Sequence, residues 1–145
     1  MAERPSRRVL FVCVQNAGRS QMAAALFNRY STASLRAESA GTRPARRVHP
    51  EVVAAMREVG IDLEGNTPQR MTPELAAGVD RVVTMGCGDE CPHLRAKQRA
   101  DWGIPDPKHL SPDEFRQVRG LIESKVQAAL SRIGIDLCKT ASQSH

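Results

Sequence analysis

The chain has 145 residues, enough for one hydrophobic core but not two, and although 41% of it is apolar it contains no run long enough to span a membrane. Its formal charge of +5 is lopsided: residues 1–50 hold nine arginines against Glu3 and Glu38, a net +7, while the rest of the chain carries −2. The aromatics that would stack nucleobases are few (Phe11, Phe27, Tyr30, Trp102 and Phe115) and are not interleaved with the arginines, so nucleic acid is set aside in favour of a small anion as the charge's target.

Residues 1–7 read as a flexible N-terminal tail. They lead into an apolar run that is too short and wrongly flanked for a secretory signal, which places the protein in the cytoplasm. The run at 8–14 is a buried-type strand, and Gly18-Arg19-Ser20 opens a helix over 19–30 with Met22, Ala23, Leu26, Phe27 and Tyr30 at helical spacing. Between them Cys13 stands six residues before Arg19. A loop of that length can curl so that the backbone N–H groups of Val14, Gln15, Asn16, Ala17, Gly18 and Arg19 face inward. The helix N-terminus then adds its positive end, and Arg19 a planar two-pronged donor. Such a pocket suits a tetrahedral oxyanion, and the same field favours a thiolate at Cys13. An inert core thiol would not call for Gly18, Arg19 and Ser20 next door.

Further along, 35–39 reads as a strand closed by Ser39-Ala40-Gly41. Pro50 starts a helix through Val52, Met56 and Val59 that Gly60 stops. Thr72-Pro73-Glu74 opens a short helix, Arg81–Met85 is a third strand, and a turn-rich loop from Gly86 to Pro92 precedes a weaker strand near 99–102. Ser111-Pro112-Asp113-Glu114 is a capping box, followed by an apolar stripe of Phe115, Val118, Ile122, Val126, Ala129 and Ile133. Residues 138–145 read as a flexible C-terminal tail, leaving one domain over 8–137. The alternation predicts a single α/β domain, a four-stranded parallel sheet flanked by helices on both faces, with active groups at the carboxyl ends of the strands. The loops bearing Cys13, Gly86–Cys91 and Asp106 then share one edge. Cysteines 13, 87, 91 and 138 form no dense framework, so in a reducing compartment they read as catalytic, redox-active or metal-binding candidates. A zinc site from Cys87, Cys91, His93 and His109 matches no common spacing, and no metal is predicted.

Cys13 through Ala23, Glu38-Ser39-Ala40-Gly41-Thr42, Met56–Asp62, Val83–Cys87 and Asp101-Trp102-Gly103 ahead of Asp106-Pro107 together resemble the arsenate reductases built on the low-molecular-weight protein tyrosine phosphatase fold. The likeness runs over roughly residues 7–135. It implies Cys13 as nucleophile, an anion loop with Arg19, Ser20 and Asn16 as supports of the loop and thiolate, and Asp106 as general acid. It also admits two chemistries, thiol-dependent arsenate reduction and phosphate monoester hydrolysis. Reduction is favoured: the chain is poor in aromatics, Lys108-His109 stands where the phosphatases carry a Tyr after Asp-Pro, and Gln21-Met22 replaces their Pro after the Ser. A non-catalytic oxyanion-binding domain is the remaining alternative. The resemblance implies an external thiol reductant, either thioredoxin through a relay of Cys87 and Cys91 or mycothiol with mycoredoxin. Cys91-Pro92 fits the relay pattern and Cys87 stands one residue late, so the small-thiol route is preferred. No bound cofactor is expected. The acidic residue with which some members hold potassium is here Ala24.

Overall fold

The computed structural model describes residues 7–86, 98–105 and 110–143, with side chains in the last helix up to Arg132. In chain order the elements are β1 (Arg7–Cys13), α1 (Arg19–Tyr30), β2 (Leu35–Gly41), α2 (Pro50–Arg57), α3 (Pro73–Ala77), β3 (Arg81–Thr84), β4 (Gln98–Asp101) and α4 (Pro112–Gln143). The strands form one parallel sheet in the order β2-β1-β3-β4, with Leu10 opposite Glu38 on one side and Val82 on the other.

Period-two alternation along β1 divides the core. Val9, Phe11 and Cys13 face the larger apolar cluster, with Met22, Leu26 and Phe27 of α1, Val52 and Met56 of α2, and Phe115, Val118, Ile122 and Val126 of α4. Leu10 and Val12 face the opposite side, where Ala40, Val82 and α3's Ala76 close a smaller cluster. A strand with apolar residues on both faces is what a doubly covered parallel sheet requires. Phe11 is wedged edge-on against both Phe27 and Trp102, at ring separations of 5.8 and 5.2 Å, tying α1 to the segment after β4.

The local signals account for most boundaries. Gly60 takes φ +81, a left-handed conformation open to glycine, just beyond α2. Ser111 and Glu114 close the expected capping box reciprocally: Ser111 N–H donates to Glu114 Oε1 (3.1 Å) and Glu114 N–H to Ser111 Oγ (3.2 Å). Tyr30, expected on the packed face of its helix, is instead 46% exposed at the last turn, its hydroxyl on Glu123. α4 continues helical through Gln143, into the segment read as a C-terminal tail. No proline follows Pro112, and Leu137, Lys139 and Ala141 are strong helix formers.

Candidate active site

The parallel order brings the carboxyl ends of β1, β2 and β3 side by side, where strand connections diverge to opposite sides of β1; clefts in open α/β sheets form at such a point. Cys13 ends β1 there, 3% exposed. The following loop is held from outside by its own carbonyls. Those of Cys13, Val14, Gln15 and Ala17 accept from the N–H groups of Thr42, Arg43, Ala45 and His49, at 2.8–3.2 Å. Because a trans peptide points its N–H opposite to its C=O, the N–H groups of Val14, Gln15, Asn16 and Gly18 turn the other way. Asn16 N–H shows where that is: it donates to Cys13 Sγ at 3.2 Å. The inward turn of these four N–H groups thus follows from a strap, residues 42–49, that binds the loop's outer edge.

A second set of contacts fixes the sulfur's neighbours. Asn16 has φ +51, a left-handed conformation asparagine tolerates better than most residues. Its Oδ1 accepts from Gln69 N–H (2.9 Å), and a backbone N–H can only donate, so the amide's orientation is settled. Its Nδ2 then donates to Ser20 Oγ (2.8 Å), and Ser20 Oγ lies 2.8 Å from Cys13 Sγ. When the sulfur is a thiolate and carries no proton, that contact is Ser20 O–H donating to sulfur. Gln21, 4% exposed, steadies the same asparagine from Nε2, and Asn66 Nδ2 holds Gln21 Oε1 (3.2 Å). Ser20 is therefore no helix cap: α1 has Gly18 at its N-cap, no side-chain capping bond and no acid in its first turn.

Arg19 is 9% exposed, and its NH1 donates to the carbonyls of Met85 and Ile104, both at 2.8 Å. This commits one prong of the guanidinium to the scaffold and leaves the NH2 and Nε donors in a fixed plane. Among the described residues no carboxylate pairs with it.

Gly41 and Gln21 stand in the quoted motifs with no part in holding the loop assigned to them, and Gln69 and Asn66 stand in none, yet the four build the loop's outer wall. A Cβ on Gly41 would lie 2.6 Å from Val14 O and 2.8 Å from Asn16 N. The detectable signal is a glycine ending a strand. His49 is the N-cap of α2, and its Nε2 lies 2.9 Å from Gln15 Oε1 on the loop. Asp106, Cys87 and Cys91 lie outside the described residues, as do Lys108 and His109. Among the described residues no group of three or more His, Cys, Asp or Glu could hold a metal ion, and no helix is long and apolar enough to cross a membrane.

A doubly wound parallel sheet with a cysteine under an inward-facing backbone cup and a buried arginine beside it defines a class, the α/β enzymes that work on oxyanions through sulfur. Over residues 8–139 the chain matches the low molecular weight phosphotyrosine protein phosphatase family, and it belongs to that family. The glutaredoxin arsenate reductase of Synechocystis sp. is 35% identical over 130 residues, 88% of this chain and 98% of its own. The arsenate reductase of Halalkalibacterium halodurans is 37% identical over 82% of this chain and 91% of its own. Among solved structures, the thioredoxin-dependent arsenate reductase of Corynebacterium glutamicum superposes with a TM-score of 0.76 at 34% identity over 91% of this chain, which spans 64% of that chain's length. A low molecular weight protein tyrosine phosphatase from T. tengcongensis reaches a TM-score of 0.78 at 23% identity, a likeness of fold alone.

Proposed function

We propose that the protein reduces arsenate to arsenite with electrons from thiols, with Cys13 as the nucleophile. One observation carries the reading: a buried sulfur, hydrogen-bonded to Asn16 N–H and Ser20 Oγ, sits beside a buried guanidinium that has no carboxylate partner among the described residues. Burying a charge unpaired costs several kcal/mol, and an oxyanion in the cup is the counter-charge that offsets it. Relatives named arsenate reductases, matched over most of this chain, support arsenate as that oxyanion.

In this mechanism the Cys13 thiolate attacks arsenic, an As–S bond forms, and one oxygen departs as water with a proton from Asp106 acting as general acid. Arg19 and the N–H groups of the 14–19 loop hold the remaining oxygens as charge builds on them. A second thiol, from Cys87, Cys91 or an external donor, then attacks the Cys13 sulfur. The S–S bond forms, the As–S electron pair stays on arsenic, and arsenite leaves. In balance, arsenate and two thiols give arsenite, a disulfide and water. Ser20 and Asn16 hold the sulfur in place between turnovers. The donor is an external thiol system, thioredoxin or mycothiol with mycoredoxin, and the reducing cytoplasm is the compartment in which such cysteines stay available.

The test is a donor panel: arsenite release with thioredoxin, glutathione and glutaredoxin, or mycothiol and mycoredoxin, beside hydrolysis of an aryl phosphate without thiol. Arsenite release with at least one donor is expected, and Cys13→Ser should abolish it while retaining the fold and phosphate binding. Hydrolysis without arsenite formation would establish the phosphatase reading instead. Binding without turnover of either substrate would leave a sensor domain, and arsenite formation by Cys13→Ser would remove Cys13 from its role.

A further inference from the structure

From Cys13 to Ala17 the strap takes every carbonyl but one, that of Asn16. The left-handed backbone at Asn16 (φ +51) breaks the succession of carbonyls that reach the strap. Its carbonyl accepts instead from a side chain, Gln21 Nε2 at 3.0 Å, and the same NH2 group lies 3.3 Å from Asn16 Oδ1. Two oxygens that only accept require the nitrogen of Gln21 to face them, which leaves Gln21 Oε1 to accept from Asn66 Nδ2 at 3.2 Å. Gln21 is buried, and the segment that carries Asn66 also supplies the Gln69 N–H on Asn16 Oδ1. The Asn16 carbonyl is thus drawn to the outer wall by a side chain, where its neighbours are drawn there by backbone.

The peptide between Asn16 and Ala17 is trans, so a carbonyl held at the wall turns the Ala17 N–H away from it. Ala17 is fully buried, and among the described residues its N–H donates to no group. Buried backbone donors are paired as a rule, and an oxyanion over Cys13 is the acceptor this one can reach. We infer that Gln21 is a positioning residue that aims the Ala17 N–H into the cup, the donor the strap does not set; the inference rests on the reading of the cup as an oxyanion site. The side chain must both reach and donate. Methionine has the reach without the donor, and an ionised glutamate sets a third acceptor against the two oxygens of Asn16.

The test is the affinity for inorganic phosphate, by isothermal titration calorimetry well below Tm, of the native chain, Gln21→Met and Gln21→Glu, each checked for folding by circular dichroism. Gln21→Met should raise the phosphate Kd about tenfold or more, the effect of one misdirected donor to a charged acceptor. Gln21→Glu should be the weaker binder at about pH 8, where its carboxylate repels the Asn16 oxygens. At about pH 5 a protonated carboxyl donates to the Asn16 carbonyl as the amide does, and burial against acceptors favours that form. With each Kd taken as a ratio to the native value at the same pH, Gln21→Glu should then bind more tightly than Gln21→Met. Loss of a nearby negative charge alone would bring it only to the level of Gln21→Met, and that result would overturn the inference, as would native affinity in Gln21→Met. Should Gln21→Met fail to fold, Asn66→Ala decides, because Asn66 is exposed and its loss frees the Gln21 amide: weaker phosphate binding supports the role and native binding overturns it. Arsenite formation plays no part in this readout, so a failure of the reductase reading leaves the comparison standing, whereas a native chain that binds no phosphate overturns both.

Discussion

Replacing Gly41 by alanine tests whether the anion loop is held by its outer wall. The added methyl would sit 2.6 Å from the Val14 carbonyl oxygen and 2.8 Å from the Asn16 nitrogen, both main-chain atoms that no rotamer change can clear. Relief requires a shift of roughly 0.5–1 Å between β2 and the loop, given carbon contacts that prefer about 3.5 Å or more. Overpacking of this kind costs about 1–3 kcal/mol, which for a chain of this size lowers Tm by roughly 2–12 °C. The same shift moves the inward N–H groups and the Asn16 contact to Cys13 Sγ, and a displacement near 1 Å costs up to about 10²-fold in rate. Arsenite release is measured well below Tm, beside a thermal melt with and without phosphate. Gly65→Ala serves as control, since its added methyl would meet nothing within 4 Å. Gly41→Ala with the turnover and melting temperature of that control would refute the account of the loop.

Two further predictions use the same contacts. Arg19→Lys replaces a guanidinium whose NH1 is anchored on Met85 O and Ile104 O, leaving NH2 and Nε for the oxyanion, by a single ammonium, so arsenate kcat/KM should fall about 10²–10³-fold, and near-normal turnover would count against the pocket. Glu58, at the end of α2, is bonded to Arg116 and then Arg119 of α4, which hold its carboxyl at about 2, below its ordinary 4.5. A depressed carboxylate stabilises the fold fully above about pH 4.5 and progressively less as pH falls through about 2. Glu58→Gln should therefore unfold at lower urea than the native chain near neutral pH, with the gap closing under acid; a gap of constant size from about pH 7 to about pH 3 would discount the ion pair.

The strands and helices are legible in the sequence because their signals are local. The continuous apolar run at Val9–Val12 can be buried on both faces in a parallel sheet, and the Phe115, Val118, Ile122, Val126 stripe declares a helix with one packed side. Cys13, Arg19 and the loop between them are legible for a related reason. A cup of backbone N–H groups requires glycine and small residues in a short stretch between a strand and a helix, so the whole feature is written within a few positions. Tyr30 shows the limit of periodicity: it keeps the spacing of the packed face, but it falls in the last turn, where the helix runs past the core.

The wall behind the loop is invisible for a different physical reason. Thr42, Arg43, Ala45 and His49 hold the loop through their main-chain N–H groups, and Gln69 fixes Asn16 with its own. Every residue but proline owns such a donor, so none of these positions needs a particular side chain to do it. The strap's grip on the loop therefore does not depend on its side chains, three of which within 42–49 are exposed arginines. Only Gly41 betrays the wall, because there the backbone of β2 approaches the loop more closely than any Cβ allows. The chemistry of the cup is thus encoded in a short run beginning at Cys13, and its rigidity in contacts that bind position rather than residue type. That separation lets the side chains of the strap vary without disturbing the sulfur.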